Sequence, residues 1–509
     1  MNLAAIFLRF ALDEIHITLY GRTIHSPPTS DAAVDRAATR PLPRVPGEEM
    51  SSSPPLDIVT PPSKTTSRRA SLAAFSGSAI EYYDLVAYGT AAALVFGDLF
   101  FRDVSTHVAL LLSFATFAAG YVARPLGGLL FGYVGDKYGR RTAVLLTISV
   151  MGAATVCIGL LPTYDSIGSF APVLLVVLRV LQGLAVGGEL GGAVLISVEH
   201  APKNKRGFYG SFSTAGAQGG TLLATIVFAI VTLMPDDRFT TWGWRIPFLL
   251  SAVIVLVGML IRSGLDETPD FKQSQADRAA ASASASAVKH NPIRDALSKH
   301  PTTILGITFI MAGMMSIWYV ITVYSLSYAV NQSGIPRTSM LWVVSAATLV
   351  VVLMNPVWGA LSDRVSRSRL IVFGLLSEAV LLFFYFAMLG VGNLALVFVS
   401  LILVAGLGHA VVNGIFPAFV VESLPAAVRY TAGSFGMQLA ALVAGFAPLV
   451  ATALEPTAGG VWTVSALCLA LCTLGAFSAI YIVKIYAPRQ TSAITEKTQP
   501  SSKETSSIK

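Results

Sequence analysis

Two carboxylates, Glu81 and Asp84, stand three residues apart inside an apolar run long enough to cross a membrane. At that spacing both fall on one helix face. Equally apolar runs further along hold Arg124, Arg179 and Glu189, the neutral Gln182 and Gln218, and the pair His409 and Asn413 one helical turn apart. An ionisable group in hydrocarbon costs a few kcal/mol or more, so each marks a solute path, a proton path or a buried structural ion pair. A guanidinium offers a carboxylate two parallel N–H donors, which makes Arg124 and Arg179 candidate binders of an organic anion. Gln182, Gln218 and Asn413 are neutral candidates for the same guest. Glu81, Asp84, Glu189 and His409 are candidates for holding a proton, because carboxyls and imidazole respond to burial and to neighbouring charge. At ~1.5 Å rise per residue Asp84 and Arg179 lie at similar depths and could pair. Substrate arrival would then free the carboxylate to protonate. Glu378 has no evident partner in the sequence. The glycines flanking Glu189 (Gly187, Gly188, Gly191 and Gly192) read as close packing, and Trp318, Tyr319 and Tyr324 as aromatic packing.

The elements that must position these residues are helices in lipid. Of the 509 residues 54% are hydrophobic and 12% charged, against about 25% charge in a soluble domain. Apolar runs of the ~20 residues that a bilayer core requires lie near 72–97, 108–134, 142–161, 172–198, 207–234 and 246–263. Six more lie near 302–330, 339–360, 370–391, 394–421, 432–454 and 460–486. The expected fold class is all-α integral membrane, with twelve transmembrane helices in two six-helix halves, 68–264 and 301–487. A polar central loop, 265–300, joins them. Residues 1–67, dominated by Pro, Ser and Thr, and the polar tail 488–509 are expected to be disordered, and Met50 is a possible true start.

Lys and Arg set the orientation. Lys64, Arg68, Arg69, Lys137, Arg140, Arg141, Lys203, Lys205, Arg206, the central loop, Arg364, Arg367, Arg369, Arg429, Lys484 and Arg489 share one side. Arg102, Arg238, Arg245 and Arg337 occupy the other. Both termini and the central loop are therefore expected in the cytoplasm. The net charge of +7 reflects this topology and not a nucleic-acid partner.

The halves repeat each other. Glu199-His-Ala-Pro202-Lys-Asn-Lys-Arg206 precedes Gly210-Ser211-Phe212, and Glu422-Ser-Leu-Pro425-Ala-Ala-Val-Arg429 precedes Gly433-Ser434-Phe435, at one constant offset. Gly132-Tyr-Val-Gly-Asp136-Lys-Tyr-Gly139-Arg140-Arg141 has a weaker partner in Gly359-Ala-Leu-Ser-Asp363-Arg364-Val-Ser-Arg367. Such matches imply two related halves in parallel orientation.

The loop from Gly132 to Arg141 resembles the signature loop of the major facilitator superfamily, and Arg179-Val-Leu-Gln182-Gly183 resembles its fourth-helix motif. More narrowly, Gly77 to Asp84, Ala123 to Gly128, Gly187-Gly188-Glu189 and Val428 to Thr431 resemble the metabolite:proton symporter family, over roughly residues 68–487. The resemblance implies the major facilitator fold, a bacterial inner-membrane location, and proton-coupled uptake of organic acids such as shikimate and dicarboxylates, or of zwitterions such as proline and betaine. It implies that the first and fourth helices line the cavity. It also implies a cytoplasmic gate at Gly132, Asp136, Gly139, Arg140 and Arg141, mirrored by Asp363 and Arg364, with Asp136 meeting a helix N-terminus near Thr431. The second copy lacks the Gly-Arg pair after Asp363, so a weaker lock is expected there.

Other classes fit poorly. No phosphate-binding Gly-x-x-x-x-Gly-Lys-Ser/Thr sequence occurs, so a nucleotide-driven pump is excluded. Clustered acids or histidines for enzyme chemistry are absent from the sequence pattern. Cys468 and Cys472 share a helix face without a second ligand pair, so packing is favoured over metal. The expectation is a carrier without cofactor or metal, not an enzyme and not a nucleic-acid binder. It works as a monomer in the lipid bilayer on a small organic acid and protons. A zwitterion carrier and a carrier-derived sensor are the alternatives.

Overall fold

The computed structural model describes residues 64–138, 140–188, 197–199, 201–263 and 297–498. Glu189, Gly139, the N-terminal segment before Lys64, most of the central loop and the chain end lie outside the described residues. So do the side chains of Asp136, Arg140 and Arg141.

The described chain is almost wholly helical. The first half comprises α1 (Lys64–Ala91), α2 (Thr106–Tyr138), α3 (Arg140–Leu160), α4 (Phe170–Gly188), α5 (Arg206–Val231) and α6 (Ile246–Ser263). The second comprises α7 (Pro301–Tyr319), α8 (Arg337–Ser362), α9 (Arg367–Val391), α10 (Leu394–Leu403, resuming as Ala410–Ser423), α11 (Ala426–Gly445) and α12 (Gly460–Thr498). Ten described helices are long and apolar enough to cross a membrane. The two others are α1, whose 28 residues include Glu81 and Asp84, and α6, which overlaps the shorter apolar segment Gly243–Val257. α12 continues past Ala487 as far as Thr498, so the described part of the tail expected to be disordered is helical, and the Ala, Gln, Glu and Lys there are compatible with a helix; residues 499–509 lie outside the described residues.

The internal repeat has a structural counterpart. α1 and α7, the first helix of each half, both pass into a single π-helical turn, Ala92–Phe96 and Val320–Tyr324. Pro425 caps α11, and Pro202 precedes the short turn that leads into α5.

Packing follows small residues. A Cβ on Gly183 would stand 2.1 Å from the Gly120 carbonyl oxygen, and one on Gly187 would stand 1.9 Å from that of Arg124. α2 and α4 are therefore in backbone contact, as lipid-embedded helices without a hydrophobic driving force require. α5 and α8 meet across the halves in the same way, where a Cβ on Gly207 would stand 2.3 Å from the Gly359 carbonyl oxygen. Leu129, Phe170, Val380 and Phe477 are exposed on the outside, where lipid tails would cover them.

Candidate functional site

In the first half, a buried polar line runs from Asp84 to Arg179. Both residues are almost fully buried. Asp84 Oδ1 accepts from the Ser251 hydroxyl at 2.6 Å and Oδ2 from the Thr155 hydroxyl at 2.9 Å. Thr155 accepts from Gln182 Nε2 at 2.8 Å, and Gln182 Oε1 accepts from Arg179 Nη1 at 2.6 Å. The direct Asp84–Arg179 pair anticipated from depth is thus replaced by two neutral intermediates. Depth along the helices matched, but α3 inserts Thr155 between α1 and α4. The guanidinium also lies 4.1 Å over the Tyr88 ring, an attraction worth about 2 kcal/mol when desolvated. Its Nε has no partner. The room for it comes from Gly120, where a Cβ would stand 2.5 Å from Nε.

The second half holds another buried line. His409 Nδ1 lies 3.0 Å from Glu378 Oε1, and its Nε2 lies 3.1 Å from Gln218 Nε2 and 3.4 Å from Asn413 Nδ2. Amide nitrogens are donors only, so Nε2 is the acceptor and Nδ1 carries the proton given to Glu378. Trp318 stacks on the imidazole, with centroids 4.1 Å apart and 12° between the planes. Glu378, partnerless in the sequence, therefore has a partner after all. The pairing was hidden because α10 is not a plain helix. Val404–His409 is a π-helical turn, a form common at functional sites, and it rotates His409 towards α9. Ser377 Oγ and Trp358 Nε1 donate to the carbonyls of Leu407 and Gly406 in that turn. A Cβ on Gly408 would stand 2.6 Å from Glu378 Cα, so glycine there permits the approach.

Between the halves lies a cavity of about 140 Å³. Its first-half wall includes Glu81, Arg124 and Gln218, and its second-half wall includes Trp318, His409 and Asn413. Arg124 is 7% exposed, and its guanidinium sits 4.2 Å over the Tyr121 ring. Glu81 and Arg124 also line a chamber of about 10 Å³ that reaches Asp84, Arg179 and Gln182. Of the candidates, Glu81, Arg124, Gln218, His409 and Asn413 thus meet in the main cavity, and Asp84, Arg179 and Gln182 lie behind it. Three buried polar atoms in the cavity wall lack partners: Gln218 Oε1, Trp318 Nε1 and Ser434 Oγ. Ser434 was missed as a site residue, although it stands inside the repeated Gly-Ser-Phe triplet. Ser213, Thr214 and Gln438 in the same wall carry no sequence signal that separates them from ordinary helix residues.

Contacts between the halves bracket the cavity. At the end rich in basic residues, Asp363 accepts from the backbone N–H groups of Gly207 (2.7 Å) and Phe208 (3.0 Å) at the start of α5. Arg367 also holds this carboxylate at 2.8 Å. An anion at a helix N-terminus gains from both the free N–H groups and the dipole. The second-copy lock, expected to be weak, is fully formed on the Asp363 side. Arg367 stands at the position that Arg140 holds in the first copy and supplies the cation, so only the glycine of the expected pair is replaced, by Ser366. Arg364, the other expected member, follows Asp363 after the end of α8 and is exposed. Gly132, the first-copy counterpart of Gly359, is exposed, and a Cβ there would meet nothing within 4 Å. Arg429 reaches Glu199 at 3.0 Å, joining the two copies of the repeat. At the opposite end Arg337 pairs with Asp236, Thr338 bonds Thr232 at 3.1 Å, and Tyr121 donates to Tyr319 at 2.7 Å.

Two bundles of six helices, with buried charges around a cavity at their interface, form the architecture of a solute carrier. The family model described as Major Facilitator Superfamily matches residues 74–448 and 305–507. The chain belongs to the major facilitator superfamily. Its relatives in that superfamily include the shikimate transporter of Escherichia coli (strain K12), 38% identical over 421 residues that cover 82% of this chain and 95% of the relative. The inner membrane metabolite transport protein YhjE of the same organism is 39% identical, over 76% of this chain and 88% of the relative. The Escherichia coli (strain K12) proline/betaine transporter is 32% identical, over 75% and 77%. Among solved structures, the D-xylose-proton symporter aligns with a TM-score of 0.62 at 18% identity, covering 81% of this chain and 96% of that one. The protein is a multi-pass membrane transporter and not an enzyme.

Proposed function

We propose that this transporter imports a small organic acid together with protons by alternating access, as a monomer in a bacterial inner membrane with both chain ends in the cytoplasm. The observation that carries the reading is Arg124, a fixed guanidinium opening onto the cavity between the halves. A guest carboxylate takes up its donors, and Gln218, Asn413 and Ser434 hydrogen-bond the rest of the guest. Asp84 takes a proton through the chamber behind Glu81 and Arg124. Thr155 makes that possible without repacking. Its single proton can turn to the Met151 carbonyl, 2.9 Å away, leaving its oxygen to accept from a protonated Asp84. As the halves rock, Asp363 leaves the start of α5, and the mirror contact from Asp136 is expected to behave likewise. Matches to the shikimate transporter and to YhjE support the metabolite class.

The test is accumulation of labelled shikimate, citrate and betaine by proteoliposomes under an inward acid gradient, with and without protonophore. The expected result is protonophore-sensitive accumulation of an organic acid, lost in Arg124→Gln. Accumulation of none, or accumulation indifferent to Arg124, overturns the reading. Glu81 beside Arg124 favours a second reading, a zwitterion whose cation faces that carboxyl. Competition by betaine but not by shikimate would select it.

A further inference from the structure

Glu378 is fully buried, its Oε2 has no partner, and its other oxygen touches the cavity only through His409. The proton path through Asp84 does not involve it. His409 lines the cavity and Glu378 does not, so the imidazole stands between them as a two-ended connector. Gln218, which reaches His409 from the first half, has its own buried Oε1 unsatisfied. Turning that amide over presents an acceptor to Nε2 in place of a donor.

We propose that Glu378 holds a second transported proton, delivered from the cavity through His409, and that Gln218 ties its loading to the movement of the halves. The step balances. A proton from the cavity binds His409 Nε2, and the proton on Nδ1 passes along the 3.0 Å contact to Glu378 Oε1. The imidazole ends neutral in its other tautomer, and the carboxylate ends as a carboxylic acid. Gln218 Oε1 then accepts from the new Nε2–H. When the halves separate on either side, Gln218 withdraws and the proton can return by the same route.

The groups facing this site are few. On α12, the buried Cys468 and Cys472 stand within electrostatic range of Glu378. Trp318 covers the imidazole from α7, and from α8 Trp358 bonds the turn that carries His409. Asn413 lies on the same helix as His409. Across the cavity stand Glu81 and Arg124, and Tyr319 follows Trp318 on α7 in the cavity wall.

The inference rests on the proton-coupled reading, and the experiment separates the two. Wild type, Glu378→Gln and Glu378→Asp are reconstituted, and accumulation of labelled shikimate, or of whichever probe of the uptake screen wild type accumulates, is measured under one pH unit with the membrane potential clamped. Each coupled proton multiplies the equilibrium ratio by about tenfold. Glu378→Gln is therefore expected to lower the ratio about tenfold while counterflow persists, and Glu378→Asp to restore it. If Glu378→Gln accumulates as wild type does, or if both variants lose driven uptake and counterflow together, the inference fails. If wild type shows no acid-driven accumulation of any probe, the parent reading fails instead.

Discussion

The two buried polar lines solve the same problem in opposite ways. Asp84, Thr155, Gln182 and Arg179 all belong to the first half, and both oxygens of Asp84 are bonded. That line can ride inside one rigid bundle as it rocks. Glu378 and His409 belong to the second half but end on Gln218 of the first, with Glu378 Oε2 and Gln218 Oε1 both unsatisfied. Buried polar atoms are normally bonded, so under the proposed rocking motion the unsatisfied Gln218 Oε1 at the junction of the halves marks a place where partners can change. On the proposed reading each line holds a proton, the first inside one bundle and the second at a junction that the movement of the halves can open.

The largest expected effect is on the seat of the first line. Gly187→Val puts side-chain atoms where the Arg124 carbonyl lies and forces α2 from α4. A loss of about 3 kcal/mol or more, read as a lowered Tm in detergent, is expected to accompany loss of transport. An unchanged Tm would mean that backbone contact does not hold Arg124 in place. Next comes Asp84→Asn, which keeps acceptor and shape but removes the charge. Acid-driven accumulation is expected to fall about tenfold with counterflow kept. Full proton dependence in that variant would remove its proton-holding role.

Gln218→Leu tests the second line. It deletes a cross-half hydrogen bond worth about 1 kcal/mol and is expected to shift the balance between inward- and outward-facing forms about fivefold. Labelling of single cysteines at the two ends of the cavity would measure this. A first-half substitution, Gln182→Leu, should leave that balance unchanged, and an equal shift in both would erase the contrast. The smallest effect is expected for Tyr319→Phe. It breaks the Tyr121–Tyr319 bond for about 1 kcal/mol, changing KM for uptake by less than about fivefold.

Helix number, order and pairing into halves were legible in the sequence, because hydrocarbon thickness fixes span length and the repeat fixes symmetry. Glu81, Arg124, Gln218, His409 and Asn413 were legible because a polar side chain inside an apolar run is costly to keep there. What escaped depends on three-dimensional neighbours. Thr155, an ordinary-looking threonine, separates Asp84 from Arg179, and no spacing within α1 or α4 reveals it. Glu378 looked isolated because a π-helical turn changes which face of α10 His409 occupies. Ser434 was visible as a repeat residue but not as a cavity wall, since its role depends on how α11 is turned.

Joint passage of a guest anion and protons can be read by adding shikimate to lightly buffered proteoliposomes and following the external pH. The medium is expected to turn alkaline as solute enters, more slowly in Asp84→Asn and not at all after Arg124→Gln. Entry of the solute with no pH change in wild type would contradict coupled transport.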